Sequence, residues 1–198
     1  MFELGKVRLD KTRRTVSFPA VLNMDAGLIE YLVVTESGKT HESLVRTEVA
    51  PYQIHLAMLL LGAQGTGTNA FPENHAAQLP GDPVRIDLVW KLDGKERRLA
   101  AEATLRNRET HAAVSPGAWT YTGSRVIEGT FLAQEVGSIV SLIEDPDALI
   151  NNPRPGREND ELWEIQPRGL PPLDAPIEVV LKLGSRPATP KSKSGRGR

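Results

Sequence analysis

The sequence predicts a β-rich α+β domain, built on twisted antiparallel sheet with one buried helix at about residues 51–62 and short helical turns. Three observations lead there. Fifteen prolines and seventeen glycines are spread along 198 residues, a punctuation that suits many short strands and turns better than a helical bundle. Short runs alternate apolar and polar residues between turn formers, as in Val84-Arg85-Ile86-Asp87-Leu88. One dense apolar segment, Ile54 to Leu61, follows a proline that suits a first helical position and precedes a glycine that suits a stop.

Taken in order, Lys6–Asp10 and Thr15–Val21 read as a hairpin about Asp10-Lys11-Thr12-Arg13, with Pro19 placing the second arm at an edge or a bulge. Leu28–Val34 reads as a strand, Glu36-Ser37-Gly38-Lys39 as a turn, and Thr40–Thr47 as the antiparallel return. A two-residue Ser37-Gly38 loop would set Leu32 opposite Ser43 and Glu30 opposite Val45. Glu30, His41 and Ser43 then share one face, with Glu42 on the other; a slip of one residue reverses the grouping. The helix starts at Pro51 and is apolar on nearly every side, which predicts burial all round. It falls short of the roughly 20 apolar residues a bilayer demands.

Gln64 to Pro83 is a polar, glycine-rich excursion containing Asn69, Asn74 and His75, of a length that is usually functional or mobile. Val84 to Leu105 carries the strongest local signal. Asp93-Gly94 predicts a tight hairpin pairing Lys91 with Glu96, Leu88 with Leu99 and Arg85 with Glu102, with room for an arginine stacked on Trp90. Further strands are expected in Trp119–Ser124, Gly129–Ala133, Gly137–Ile143, Leu162–Ile165 and Ile177–Leu183, with a short helix opening at Asp145-Pro146.

Residues 1–183 are expected to form one domain and 184–198 a basic disordered tail. The tail holds five basic residues and no acid, whereas the remainder holds 19 basic and 25 acidic side chains. An acidic body with scattered aromatics argues against a nucleic-acid partner. There is no transmembrane segment, and no signal-peptide pattern precedes Phe2. Trp90, Trp119 and Trp163, with Tyr121, offer a platform for a flat ligand, but at strand positions they read first as core. The Gly62–Gly67 run follows a helix rather than opening one, which excludes a phosphate loop.

The chemistry concentrates near Gly38. Lys39, His41, Glu42 and Ser43 are the candidate binding residues, at a turn that leads into the most apolar helix. His41 with Glu30 or Glu42, and His55, supply imidazole and carboxylate suited to a divalent metal ion. The spacing matches no metal motif, and an ordinary hydrogen-bonded surface His41 and core His55 explain the same residues. Ser43, His41 and Glu30 contain the residue types of a hydrolytic triad, without the elbow that exposes a nucleophile.

The segments GKVRLDKTRRTVSFPAVLNM, GLIEYLVVTESGKTHESLV, IHLAMLLLGA, WTYTGS and GSIVSLIEDPDALINNP together resemble the bacterial YdjY-type domain over most of residues 5–183. That family has no assigned activity, and its members commonly carry an export signal or lipoprotein leader. The resemblance therefore implies a periplasmic or extracellular domain and no mechanism. Some members are described as ferredoxin-like, but a chain without cysteine cannot hold an Fe–S cluster by thiolates. The reading that follows is a non-catalytic domain that binds a small ligand or a protein partner, with the metal site as its finer form and the hydrolase as the alternative.

Overall fold

The computed structural model describes residues 1–66, 71–75 and 77–185. Eight strands form a ring: β1 (Thr15–Leu22), β2 (Tyr31–Thr35), β3 (Ser43–Thr47), β4 (Asp82–Leu92), β5 (Trp119–Tyr121), β6 (Ser138–Ser141), β7 (Ile150–Asn151) and β8 (Pro176–Leu183). Around the ring they run β1-β8-β4-β5-β7-β6-β2-β3, and β3 pairs back onto β1. The expected open antiparallel sheet of an α+β fold is thus corrected to a closed eight-stranded β-barrel, with 39% of the described residues in strands and 12% helical. Two of its pairings, β2 with β3 and β6 with β7, are parallel. Beyond the ring, Phe2–Leu4 and Val7–Asp10 extend the sheet from β1, and Lys95–Ala100 extends it from β4.

The barrel interior is filled by side chains rather than left as a cavity, as expected for eight strands. Phe18, Val179 and Leu88 lie in one cross-strand row and Val16, Leu181 and Ile86 in the next, all buried. Each contributes about 1.5–3 kcal/mol through removal from water. Pro19 sits where β1 changes partners. Its free edge pairs with Val7–Asp10 up to Ser17 and with β3 only from Val21, so the missing N–H falls in the gap.

The Asp93-Gly94 hairpin forms in the expected register as far as Asp87 opposite Ala100. The Arg85–Glu102 pair does not form, because Ala101–Thr104 turns into a 3-10 helix and buries Glu102. There its carboxylate accepts from the Gly117 N–H at 3.1 Å and from Trp119 Nε1 at 3.4 Å. The stacked guanidinium is Arg154 over Trp119, 5.1 Å from the ring centroid. Residues 145–149 form turns rather than a helix, whereas Leu132–Val136 is a short helix, α2, closed by Gly137 at φ +75°.

The second hairpin is the larger correction. β2 and β3 run parallel, with Tyr31 beside Ser43 and Val33 beside Val45, and a 3-10 turn at Thr40–Glu42 carries the chain back. All five residues of β2 are buried, the unbroken apolar signature of a strand covered on both faces. The local turn signal at Ser37-Gly38 concealed that.

Helix α1 (Pro51–Leu60) is not buried all round. Ile54, Ala57 and Met58 enter the core, while Tyr52, Leu59 and Leu60 are 56%, 47% and 48% exposed. The registers explain why. β2 and β3 leave the barrel at Thr35 and Thr47, next to the start of β6. The start of β4 at Asp82 and the end of β5 at Tyr121 pair at this same end. The chain from Thr47 to Asp82, which contains α1, therefore crosses one mouth of the barrel and packs against β1, Val7–Asp10 and α2. A helix over a mouth has one inward side.

Because the chain lacks cysteine, introduced thiols report the β2–β3 register directly. Val33→Cys with Val45→Cys places paired Cα atoms about 4.8 Å apart and should oxidise to a disulfide. Leu32→Cys with Ser43→Cys, the pair of the antiparallel register, should stay reduced. Mass spectrometry after mild oxidation distinguishes the two.

Candidate functional site

The residues singled out from sequence divide between the two ends of the barrel. Tyr31 and Ser43 open β2 and β3, about 13 Å along the strands from the Thr35 and Thr47 end. At this entry end Lys39 Nζ lies 3.2 Å from Glu30 Oε2 and 3.0 Å from Glu42 Oε1, with its ammonium 5.1 Å from the Tyr31 ring centroid. Burial raises the Glu30 pKa, Lys39 pulls against that rise, and Glu42 adds to it. Burial opposes the Lys39 charge, but Glu42, Tyr31 and Glu30 outweigh it and raise the pKa. Tyr31 is pushed up to about 12 by burial, reinforced by Asp145. A lysine ammonium thus occupies the position between the two carboxylates.

His41 is exposed, with Nε2 3.7 Å from Glu42 Oε2. Ser43 is fully buried, and its hydroxyl donates to the Lys39 carbonyl at 2.6 Å. The serine therefore has a structural partner and no base in reach. The structure brings Glu30, Lys39, His41 and Glu42 together and leaves His55 elsewhere. No group of three or more His, Asp or Glu able to hold a metal ion occurs among the described residues.

His55 belongs to the other end. It sits on the first turns of α1, and its Nδ1 is 2.8 Å from the Tyr121 hydroxyl on β5. The two rings stack at 6.0 Å, and the Phe131 ring lies 4.8 Å from the imidazole. Burial lowers the His55 pKa, so the imidazole is neutral at pH 7. Burial, and the Asp82 carboxylate after it, raise the Tyr121 pKa, so the phenol keeps its proton. That proton needs an acceptor in a buried setting. Nδ1 supplies it, which assigns the remaining imidazole proton to Nε2. Among the described residues Nε2 has no hydrogen-bond partner.

Around this pair is a pocket of about 330 Å³, walled by Leu59, Val126 and Phe131 and floored by the 121–124 backbone. Gly123 and Ser124 both take left-handed backbone, φ +86° and +64°. A non-glycine residue held there is uncommon and marks a constrained site. Ser124 is fixed because its Oγ accepts the Ala133 N–H at 2.9 Å, capping α2. Gly65 packs so closely that a Cβ would overlap the Thr122 carbonyl. From sequence, His55 was legible as a polar group in the apolar helix; Tyr121 was read only as a core or platform aromatic.

Two other features are polar. A surface cleft of about 720 Å³ over the outer face of β1, β8 and β4 is lined by paired charges, Arg8 with Glu178 and Arg98 with Asp87. Buried Arg157 donates to Glu144 at 2.8 Å, and His75 Nδ1 lies 3.0 Å from the other Glu144 oxygen. This ties the 71–75 segment to the barrel.

Fold and site together define a small closed β-barrel domain with one mouth partly covered by a helix and an apolar pocket beside it. The chain belongs to the YdjY domain family, which matches residues 7–182. No curated protein and no solved structure matches it. No helix among the described residues is long and apolar enough to cross a membrane. Of the expected basic tail, residues 186–198 lie outside the described residues, as does Asn69 of the long excursion.

The His55 environment sets a pH dependence. The unfolded imidazole takes up a proton near pH 6.5, whereas the folded one resists it, so stability falls as pH drops through about 6.5. His55→Gln should remove that part of the loss. Urea melts of both proteins at pH 7.5 and 5.5 measure it, and an equal loss in both would contradict the assignment.

Proposed function

We propose that this chain is a non-catalytic domain that binds a small ligand at the α1-covered mouth of its barrel, with the unit that does so spanning residues 1–183. The observation that carries the reading is the His55–Tyr121 pair: a neutral imidazole with an unused Nε2–H, held rigidly in an apolar-walled pocket. Ligand sites are typically concave and mostly apolar, with a few placed polar groups. The Nε2–H opens on the pocket space, where a ligand acceptor can take the place of water while the apolar walls cover the rest of the molecule.

Nothing around the pair supports catalysis. The Thr122 hydroxyl is engaged with the Ala148 and Leu149 carbonyls and with Asn151, and the Ser124 hydroxyl with Ala133. Neither is poised as a nucleophile beside the imidazole. The entry-end cluster supports binding less well, because the Lys39 ammonium already occupies the position between its two carboxylates. We place the domain outside the cytoplasm on the export habit of the family it resembles.

Screening a fragment library by protein-observed NMR tests the reading. Hits should shift resonances of His55, Tyr121 and Phe131, and His55→Ala should weaken them about tenfold or more, the value of one hydrogen bond plus contact. His41→Ala and Lys39→Ala should leave binding unchanged. Hits that cluster at Lys39 and ignore His55 would transfer the site to the other end.

A further inference from the structure

We infer that the pocket selects an uncharged, elongated apolar molecule carrying one hydrogen-bond acceptor, such as an ester or amide carbonyl, and rejects organic ions. The inference rests on the binding reading above and adds the ligand class to it.

The pocket's lining side chains decide the charge. None of them is ionised: His55 is neutral, Tyr121 keeps its proton, and the others are apolar or hydroxyl-bearing. An ionised group entering such a site loses hydration without gaining a counter-ion, which is far costlier than burying a neutral polar group. The Asp82 carboxylate acts on the pair through Tyr121. It disfavours an anion. The same field favours a cation, but an ammonium meets the Nε2–H donor to donor and finds no counter-ion among the lining side chains.

Hydrogen-bond accounting decides the number of polar groups. The Thr122 hydroxyl donates to the Ala148 and Leu149 carbonyls, the Ser124 hydroxyl to the Arg125 carbonyl, and the Tyr121 hydroxyl to Nδ1. Of the lining side chains, the Nε2–H of His55 is the one donor left over. A ligand with a single acceptor satisfies it, whereas a polyhydroxylated molecule would bury several unmatched groups.

The surface beyond the pocket decides the shape. Leu59 on α1 and Val126 on the Val126–Phe131 hairpin are themselves 47% and 58% exposed, so the apolar wall reaches the surface. Tyr52 meets the edge of Phe131 at 6.4 Å and continues the wall on the other side. Adjoining exposed apolar side chains of this kind mark a ligand or partner surface. An extended chain lies along them once its carbonyl has met His55.

The experiment uses four probes with similar chains on the full-length protein at pH 7.5: methyl octanoate, octanoate, octylammonium and nonane. Titration is followed by NMR at Tyr121 and Phe131 and by calorimetry. Methyl octanoate should bind about tenfold tighter than nonane, the equivalent of one hydrogen bond, and at least tenfold tighter than either ion. His55→Leu should abolish the advantage over nonane, and His55→Gln, which keeps an N–H donor, should restore part of it. If His55→Leu fails to fold, Tyr121→Phe provides the second test: the free Nδ1 loses its orienting partner and the ester advantage shrinks. Octanoate binding as tightly as the ester, with the same His55 dependence, would overturn the ligand class and leave the site standing. No shift at Tyr121 or Phe131 with any probe would overturn the site as well.

Discussion

Everything here depends on a seam two residues wide. Val21 and Leu22 of β1 pair with Arg46 and Val45 of β3, and that pairing turns a curled sheet into a ring. The seam is reinforced on both sides. The Thr47 hydroxyl donates to the Pro19 carbonyl at 2.6 Å where Pro19 interrupts the ladder, and Asn23 and Arg46 share a hydrogen bond at 3.2 Å. Arg46 also reaches Asp174 at 2.8 Å, just ahead of β8. Without the seam β3 would be an unpaired edge beside a strand buried on both faces, an arrangement proteins avoid.

Closure also locates the site. β3 ends at Thr47, the Thr47 hydroxyl receives the Val49 N–H at 3.1 Å, and α1 begins two residues later. The helix is consequently aimed across the mouth at which β5 delivers Tyr121. A histidine on that helix and a tyrosine on that strand meet because the ring is closed. Gly65 at the Thr122 carbonyl and Gly137 at the Thr35 hydroxyl fasten the segments around the same mouth, at approaches too close for an added Cβ. The opposite end has its own solution: Lys39 between Glu30 and Glu42, its ammonium seated where a bound cation would otherwise sit.

Much of the strand content could be read from the chain, and the reasons for success and failure are local. Asp93-Gly94 and the alternation from Val84 fixed a hairpin because antiparallel neighbours and turn chemistry are encoded within a few residues. Leu28–Val34 misled because Ser37-Gly38 looks like a hairpin turn. The run of buried residues Tyr31–Thr35 was the better guide, since only a strand covered on both faces tolerates it. Ring closure was not legible, because the Val21–Arg46 and Leu22–Val45 pairs and the β1–β8 pairing join residues far apart in sequence with no local signature. For the site, His55 stood out as a polar residue in an apolar helix, and its partner did not: nothing in WTYTGS distinguishes a tyrosine that orients an imidazole from one that fills a core.

The central claim is that Tyr121 holds a neutral His55 with its proton on Nε2, ready to donate. The side-chain nitrogen correlation spectrum of the labelled protein at pH 7 tests that claim most directly. The account predicts one protonated nitrogen, Nε2, and a bare, hydrogen-bonded Nδ1, a pattern that weakens in Tyr121→Phe. A doubly protonated ring at pH 7, or a proton on Nδ1 unaffected by Tyr121→Phe, would contradict it.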